Sequence, residues 1–336
     1  MATRLIAAAD VERLLPMGEC IEVMASAFET LARGRTQQPL RTVLRLPHER
    51  GAFAVMPAQL DAPDAFGLKV ISVMPSNEGT RWDSHQGAVL LFEPQHGTLI
   101  AIMDASSVTG IRTAAVSALA TRLLARPDAG DLALLGSGVQ ARTHLAAMGA
   151  VRPLRRVRVW SRSARNARAF AQWAAPHVTC PVSPAASARE AVADADLICT
   201  VTSSREPVLC GEWIAPGAHL NAVGASLPEA RELDTAAVAR ARLYVDRRES
   251  AQSEAGDFLI PLREGAIPLD HIVAELGEVV AGLVPGRRSG DEVTLFKSLG
   301  LAIEDVAAAH HVHEAAVRED VGLRVRLGGE RAVDGD

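Results

Sequence analysis

The chain has 336 residues, 48% hydrophobic and 22% charged, with a formal net charge of −5. This length exceeds one typical core, so two domains are expected of an ordinary globular protein, and the mild acidity excludes nucleic-acid binding as the reading of the whole chain. No stretch reaches about 18 uncharged apolar residues, which excludes a helical membrane span, and the start of the chain lacks a long apolar run followed by a cleavage site, so a cytoplasmic location is expected. Cys20, Cys180, Cys199 and Cys210 form no CxxC pair and no metal-like spacing with histidine, so they read as small buried residues and no metal is expected.

In chain order, MGECIEVMASAFETLARG sets Ile21, Met24, Phe28 and Leu31 at helical spacing and closes on Gly34. RTVLRL, GAFAVMP, FGLKVISV, GAVLLFEP and GTLIAIMD follow as short strands, EPQHGT joining the last two as a hairpin, and together they predict a mainly antiparallel or mixed sheet. DASSVTGIRTAAVSALATRLLARP is then a long Ala-rich helix that stops before Pro127. From Asp131 the rhythm changes. DLALLG, RVRVWS, ADLICTVT, AHLNAVGA and ARLYVD are continuous apolar strands separated by helical stretches, the pattern of a parallel sheet covered on both faces. HIVAELGEVVAGL reads as a helix, EVTLFKS as a strand or extended crossing, and LGLAIEDVAAAHHVHEAAV as a long final helix, with the tail RLGGERAVDGD expected to fray. The economical arrangement returns that last helix to the first domain. It is an α/β fold in which a doubly wound Rossmann sheet, residues 118–296, is inserted into a second, α+β domain formed by 1–117 and 297–336.

LLGSGVQARTHL runs from a strand through glycines into a helix. Gly136, Ser137, Gly138, Val139 and Gln140 make a turn that would let backbone approach a pyrophosphate at a helix N-terminus, with Ala141 where a third glycine is usual. Alone this is a weak signal. The discriminating place is the end of the next strand, where an acid would bind a ribose 2′-hydroxyl and a basic residue a 2′-phosphate. That place holds Ser161, Arg162, Ser163 and Arg165, two hydroxyls and two guanidiniums suited to phosphate. The competing readings are a solvated basic face, or a nucleic-acid patch with Arg152, Arg155, Arg156 and Arg168, although aromatic residues for stacking are scarce. NADP(H) is the cofactor expected, with NAD(H) the second choice. Thr200, Val201, Thr202 and Val223 fall at C-terminal strand ends, where such a cofactor crosses the sheet.

Three cations stand out in the first domain: Arg41 in QPLRTVLR, Lys69 in FGLKVIS and Arg112 in VTGIRTAAVSA. Lys69 interrupts an apolar strand, and a buried lysine is costly unless paired. The bland account is that each cation meets a carboxylate of this chain. Glu304 and Asp305, at the head of the last helix, could pair with them, Asp305 as a structural ion partner and not as a catalyst.

IRTAAVSALATRLLA, LGSGVQA, HLNAVGAS.PEARELD, AELGEVVAG and LFKSLGLAIEDVAA, in that order, resemble the ornithine cyclodeaminase/mu-crystallin family over about residues 15–315. SHQ..VLLFEP..GTL and VTSS.EP.L.GEWI.PGAHLNAVGAS are similar to its mu-crystallin branch. The resemblance implies a homodimer with a Rossmann domain and a substrate-binding and dimerisation domain, a substrate carboxylate held by Arg41, Lys69 and Arg112, and NADPH-linked ketimine reduction. Departures sharpen this. Where cyclodeaminases carry a catalytic Asp this chain has Ser226, and Ala88 and Ala54 stand where a Thr and a Glu are found. A serine without an adjacent base is a poor proton acceptor, and Ser161–Arg162 contradicts the NAD preference of cyclodeaminases. The expected function is therefore an NADPH-dependent ketimine reductase acting on a small imino acid, in which Lys69 also serves as proton source and Ser226 orients the ring nitrogen or the nicotinamide. Ser84 and His85 are placed toward the nicotinamide end, and Lys297 and Ser298, at the head of the last helix, toward the same cleft. The alternatives are ornithine cyclodeaminase and a non-catalytic crystallin-like ligand-binding protein.

Overall fold

A computed structural model describes residues 2–77 and 79–328; residues 329–336 of the tail expected to fray lie outside the described residues. The elements run β1 (Thr3–Ile6), α1 (Ala8–Leu14), α2 (Met17–Ala32), β2 (Thr36–Gln37), β3 (Thr42–Arg45), β4 (Ala52–Asp61), β5 (Asp64–Val73), β6 (His85–Phe92), β7 (Leu99–Asp104) and α3 (Ala105–Leu124). They continue with β8 (Asp131–Leu135), α4 (Val139–Val151), β9 (Arg156–Trp160), α5 (Ala164–Ala174), β10 (Val182–Pro184), α6 (Ala188–Val192), β11 (Leu197–Thr200), β12 (His219–Ala222) and α7 (Thr235–Arg240). The last are β13 (Arg242–Val245), α8 (Arg248–Glu254), α9 (Gly256–Arg263), β14 (Ile272–Glu275), α10 (Leu276–Val280), β15 (Thr294–Lys297), α11 (Ala302–Arg318) and β16 (Leu323–Val325).

Two compact units result, 1–112 with 301–336, and 113–300, so the second is inserted in the first and the upstream boundary falls inside α3. The first is a mixed sheet in the order β16-β1-β7-β6-β5-β4-β2, with β3 also on β4. Among the described residues only β1 and β7 pair in parallel there, and the long β4–β5–β6–β7 meander is antiparallel. Helices α2 and α11 pack on one face. Along β4 and β5 alternate residues point to that face: Ala54, Met56, Ala58 and Leu60 are buried, as are Ala65 and Ile71. α11 is rich in alanine, whose small side chains let a helix lie close to a sheet.

The second unit is an eight-stranded, wholly parallel sheet in the order β10-β9-β8-β11-β12-β15-β13-β14. The chain starts at β8, winds outward through β9 and β10, then returns to β11 on the other side. The point of reversal, between β8 and β11, is where doubly wound sheets open a crevice at their carboxyl ends.

Three sequence expectations are corrected. HIVAELGEVVAGL is not one helix: Ile272–Glu275 extends as β14 along β13, and α10 starts only after Glu275, which caps it in a reciprocal box with Glu278. EVTLFKS is a strand, one of the two forms expected of it: β15, bonded on both sides to β12 and β13. Lys297 and Ser298 consequently end that strand in the second unit and do not head the last helix, which starts at Ala302. The downstream join drawn from sequence at 296/297 moves to 300/301 for that reason, and the upstream one, drawn at 117/118, falls at 112/113 within α3.

Candidate active site

Lys69 occupies an inward position of β5, in register with Met56 on β4 and Val89 on β6, and is 2% exposed. An ammonium in such a place is stable only with a partner. That partner comes from the first turn of α11: Asp305 Oδ2 lies 2.7 Å from Lys69 Nζ. Asp305 Oδ1 accepts from Arg112 Nε at 3.0 Å, and Arg112 Nη1 also donates to Glu304. All four side chains are buried, and their charges cancel.

Donors are left over. Arg112 spends two of its five N–H groups on these carboxylates, and Nη2 has no partner among the described residues. Besides Asp305, Lys69 reaches, among the described residues, only the Thr109 hydroxyl, at 3.4 Å, with three protons to give. Arg41, half-buried just ahead of β3, is near enough for its charge to act on Lys69. Burial pulls the Lys69 pKa down to about 8, opposed by Asp305 and assisted by the charges of Arg112 and Arg41. Burial pushes Asp305 upward, but Arg112 and Lys69 outweigh it and hold the carboxyl below its ordinary range. The first unit thus gathers Arg41, Lys69 and Arg112 into one electrostatic group, charge-balanced at its core, with N–H groups of Lys69 and Arg112 unspent among the described residues. Ser84 and His85 lie in the same unit, at the head of β6, with Ser84 Oγ 2.9 Å from His85 Nδ1. His85 is exposed as a residue, yet desolvation around its ring, and then the Lys69 charge, lower its pKa.

In the second unit the turn after β8 requires glycine. Gly136 has φ +125°, and a Cβ there would stand 2.6 Å from the Val201 carbonyl oxygen. Gly138 begins α4 with extended backbone, no side chain caps that helix, and a Cβ on Gly138 would meet nothing within 4 Å. Exposed Val139 and half-buried Gln140 leave the first turn of this 13-residue helix open, a setting that fits a pyrophosphate. Ala141 is fully buried in the position of the usual third glycine. At the tip of β9, Ser161 is joined to Ser137 by a 3.0 Å hydroxyl–hydroxyl bond, Ser163 caps α5, and Arg162 and Arg165 are exposed. Most of the basic-patch alternative dissolves. Arg152 caps the carbonyls that end α3, and Arg155 and Arg156 pair with Asp131, Arg155 also with Asp196.

The strand tips are organised by a residue that sequence reasoning missed. Glu232, fully buried, accepts from Thr200 Oγ1 (2.8 Å), Thr202 N and Oγ1 (2.7 Å each) and Gly224 N (2.7 Å). Thr200, placed from sequence at a strand end where the cofactor crosses, turns its hydroxyl inward to Glu232. Burial, then the Asp257 charge, raise the Glu232 pKa, against Lys297 and the Thr202 bonds. Val201 and Val223 engage through backbone, Val201 N donating to Leu135 O and Val223 N to Thr200 O. Ser226 is exposed and its hydroxyl makes no hydrogen bond among the described residues, whereas Ser298 is buried with its N–H on Ala222 O. No local pattern marks Glu232 as buried: it sits in the polar run PEARELD, and only the fold surrounds it with donors.

A model of the ornithine cyclodeaminase/mu-crystallin family matches residues 1–320. Ketimine reductase mu-crystallin of Mus musculus is 44% identical over 295 residues, 88% of this chain and 90% of that protein. The structure of Thermococcus litoralis Δ1-pyrroline-2-carboxylate reductase in complex with NADH and L-proline is similar with a TM-score of 0.94 and 39% identity, covering 96% of this chain and 100% of that one. An archaeal alanine dehydrogenase dimer with bound NAD gives a TM-score of 0.92 at 33% identity, covering 98% of this chain and 100% of that one.

Proposed function

The chain belongs to the ornithine cyclodeaminase/mu-crystallin family, and from that premise we propose that it is an NADPH-dependent imine reductase. Its substrate class is cyclic or small α-imino acids such as Δ1-piperideine-2-carboxylate or Δ1-pyrroline-2-carboxylate, the class to which the named activities of its relatives point. The observation that carries this reading is the buried Lys69–Asp305–Arg112–Glu304 group beside Arg41, charge-balanced yet with donors to spare. An isolated cation pair would repel and unfold; a fully spent one would have nothing to offer. This group suits an incoming carboxylate.

In this reading the first unit binds substrate and the second binds the dinucleotide. Arg112 and Arg41 hold the substrate carboxylate, and Lys69 holds it and supplies the proton that ends on the amine nitrogen. Ser226, whose hydroxyl makes no bond among the described residues, would orient the imine nitrogen or the carboxamide of the cofactor, and Ser84 and His85 are assigned from sequence to the nicotinamide end. The backbone of Gly136–Gln140 would hold the pyrophosphate, and Ser161, Arg162, Ser163 and Arg165 the 2′-phosphate. When bound, the reduced nicotinamide supplies the hydride. Solved relatives carry NADH and NAD; the preference for the phosphorylated form is read from this chain's own β9 tip. Cyclodeamination needs a base that Ser226 does not provide, and no carboxylate bonds it among the described residues. Four free cysteines suit a reducing, cytoplasmic setting.

We also infer a homodimer formed through the sheet of the first unit. Its face opposite α2 and α11 presents Phe53, Phe66, Leu68, Val70, Leu90 and Phe92, partly or wholly exposed, with Phe66 and Phe92 stacked at 5.5 Å. An antiparallel sheet with one face in water would alternate to polar residues there.

The expected behaviour is specific. Purified protein oxidises NADPH on addition of Δ1-piperideine-2-carboxylate or Δ1-pyrroline-2-carboxylate, read at 340 nm, and releases no ammonia from ornithine with NAD+; the reverse pattern would make it a cyclodeaminase. Arg162→Ala weakens NADPH about 10- to 100-fold, as loss of charge-assisted bonds predicts, and leaves NADH nearly unchanged; equal losses would remove Arg162 from phosphate recognition. The protonated form of Lys69 is the one that binds and donates, so kcat/KM declines as pH rises through about 8. Lys69→Arg moves that decline to higher pH, and an unmoved limb in the variant would exclude Lys69. Light scattering on a sizing column reports twice the chain mass, and Val70→Asp, which sets a charge in the apolar face, reports one chain.

A further inference from the structure

The clearest group left unexplained is the buried triad of Glu232, Asp257 and Lys297, each at most 2% exposed. It places two carboxylates and one ammonium at the carboxyl ends of β11, β12 and β15. Joining loops needs no buried charge, since apolar packing does it at lower cost. What a carboxylate adds is direction: it accepts only, from fixed donors.

The geometry is exacting. One oxygen of Glu232, Oε1, takes both the N–H and the hydroxyl of Thr202; the other, Oε2, takes the Thr200 hydroxyl and the Gly224 N–H. The residue therefore ties the tip of β11 to the tip of β12. Gly224 is glycine because that approach is so close: a Cβ there would overlap the Thr202 carbonyl oxygen and stand 2.6 Å from Glu232 Oε1. Glu232 is itself fixed by its backbone. Its N–H donates to Asp257 Oδ1 at 2.8 Å, and its carbonyl accepts from Val208 and Leu209. Lys297 completes the brace, 3.0 Å from Asp257 Oδ2 and donating at 2.6 Å to the carbonyl of Ala225, the residue before Ser226.

We propose that Glu232 is a positioning residue for the nicotinamide half of the dinucleotide: its carboxylate locks Thr200, Thr202 and Gly224 into one rim at the tips of β11 and β12. The proposal rests on the reading of the second unit as the dinucleotide site. In a doubly wound sheet the two mononucleotide halves lie on opposite sides of the reversal point. The glycine turn and the β9 tip serve the adenosine side, which leaves the β11–β12 rim for the other half. Glu232 touches neither substrate nor cofactor in this scheme; it acts through the backbone it holds.

The test compares two ligands on the purified full chain by calorimetry: NADPH, and adenosine 2′,5′-bisphosphate, which carries the adenosine half alone. Glu232→Gln cannot satisfy the site, because either orientation of the amide sets an NH2 group against a backbone N–H, of Thr202 or of Gly224. The expected result is a loss of NADPH affinity of about tenfold or more, with affinity for the bisphosphate within about twofold. Thr200→Val is nearly isosteric and removes one of the four donors; it shifts the NADPH affinity the same way by a few-fold and guards against a variant that fails to fold. Unchanged NADPH affinity in both variants overturns the proposal. So does a loss shared equally by the two ligands, which would mean a structural role only. If the unmodified protein binds neither ligand, the dinucleotide reading falls and takes this proposal with it.

Discussion

A lysine on the inner face of a sheet is the constraint from which the first unit follows. Lys69 stands between Met56 and Val89 on neighbouring strands, and no residue near it in sequence answers its charge. The answer is Asp305, delivered by a helix from the far end of the chain, and the same carboxylate accepts from Arg112. The discontinuity of this unit is therefore tied to an ion pair. α11 must return to the sheet both to cover its apolar face and to neutralise its cations, and everything between is free to form a separate, inserted unit. Replacing a buried ionic group with apolar residues of similar volume is often neutral or stabilising, so a requirement other than stability explains why the charges persist. Anion binding is such a requirement.

The second unit solves a different problem, that of presenting backbone to a ligand. Its central strands are short and buried on both sides, and what distinguishes them is how they end. β8 ends in a glycine whose φ of +125° no side chain tolerates, so the chain turns at once into α4 and leaves the helix N-terminus open. β11 and β12 end instead in a polar lock: four donors converge on Glu232, which Asp257 and Lys297 hold in place. One tip is opened by the absence of side chains, the others closed by a surplus of hydrogen bonds. Adaptable and fixed edges of a site are made from the same sheet.

The departures from cyclodeaminase chemistry fit this division of labour. With Ser226 in place of a carboxylate, the chain has given up a base, and the reaction left to it is one in which the substrate arrives already as an imine. On the proposed reading, binding the carboxylate, supplying one proton and holding the dinucleotide are then sufficient tasks.

The sequence by itself determined the two kinds of sheet, since short strands punctuated by Gly and Pro and joined by the hairpin EPQHGT imply antiparallel pairing, and the continuous apolar runs DLALLG and ADLICTVT, separated by helical stretches, imply a parallel sheet covered on both faces. It also determined the glycine turn with Ser161–Arg162 after it, and the three cations, because strand ends and charges that interrupt apolar runs are visible locally. Tertiary structure alone decided the rest. Thr200 looked like a cofactor contact and faces inward; Lys297 looked like the start of a helix and ends a central strand. Glu232 lay within a motif of the family resemblance, but nothing local marked it as buried or as an acceptor for the strand tips. A side chain's burial and its hydrogen-bond partners depend on residues far away in the chain, such as Gly224 folded against Glu232, and a linear pattern reports only its own neighbours.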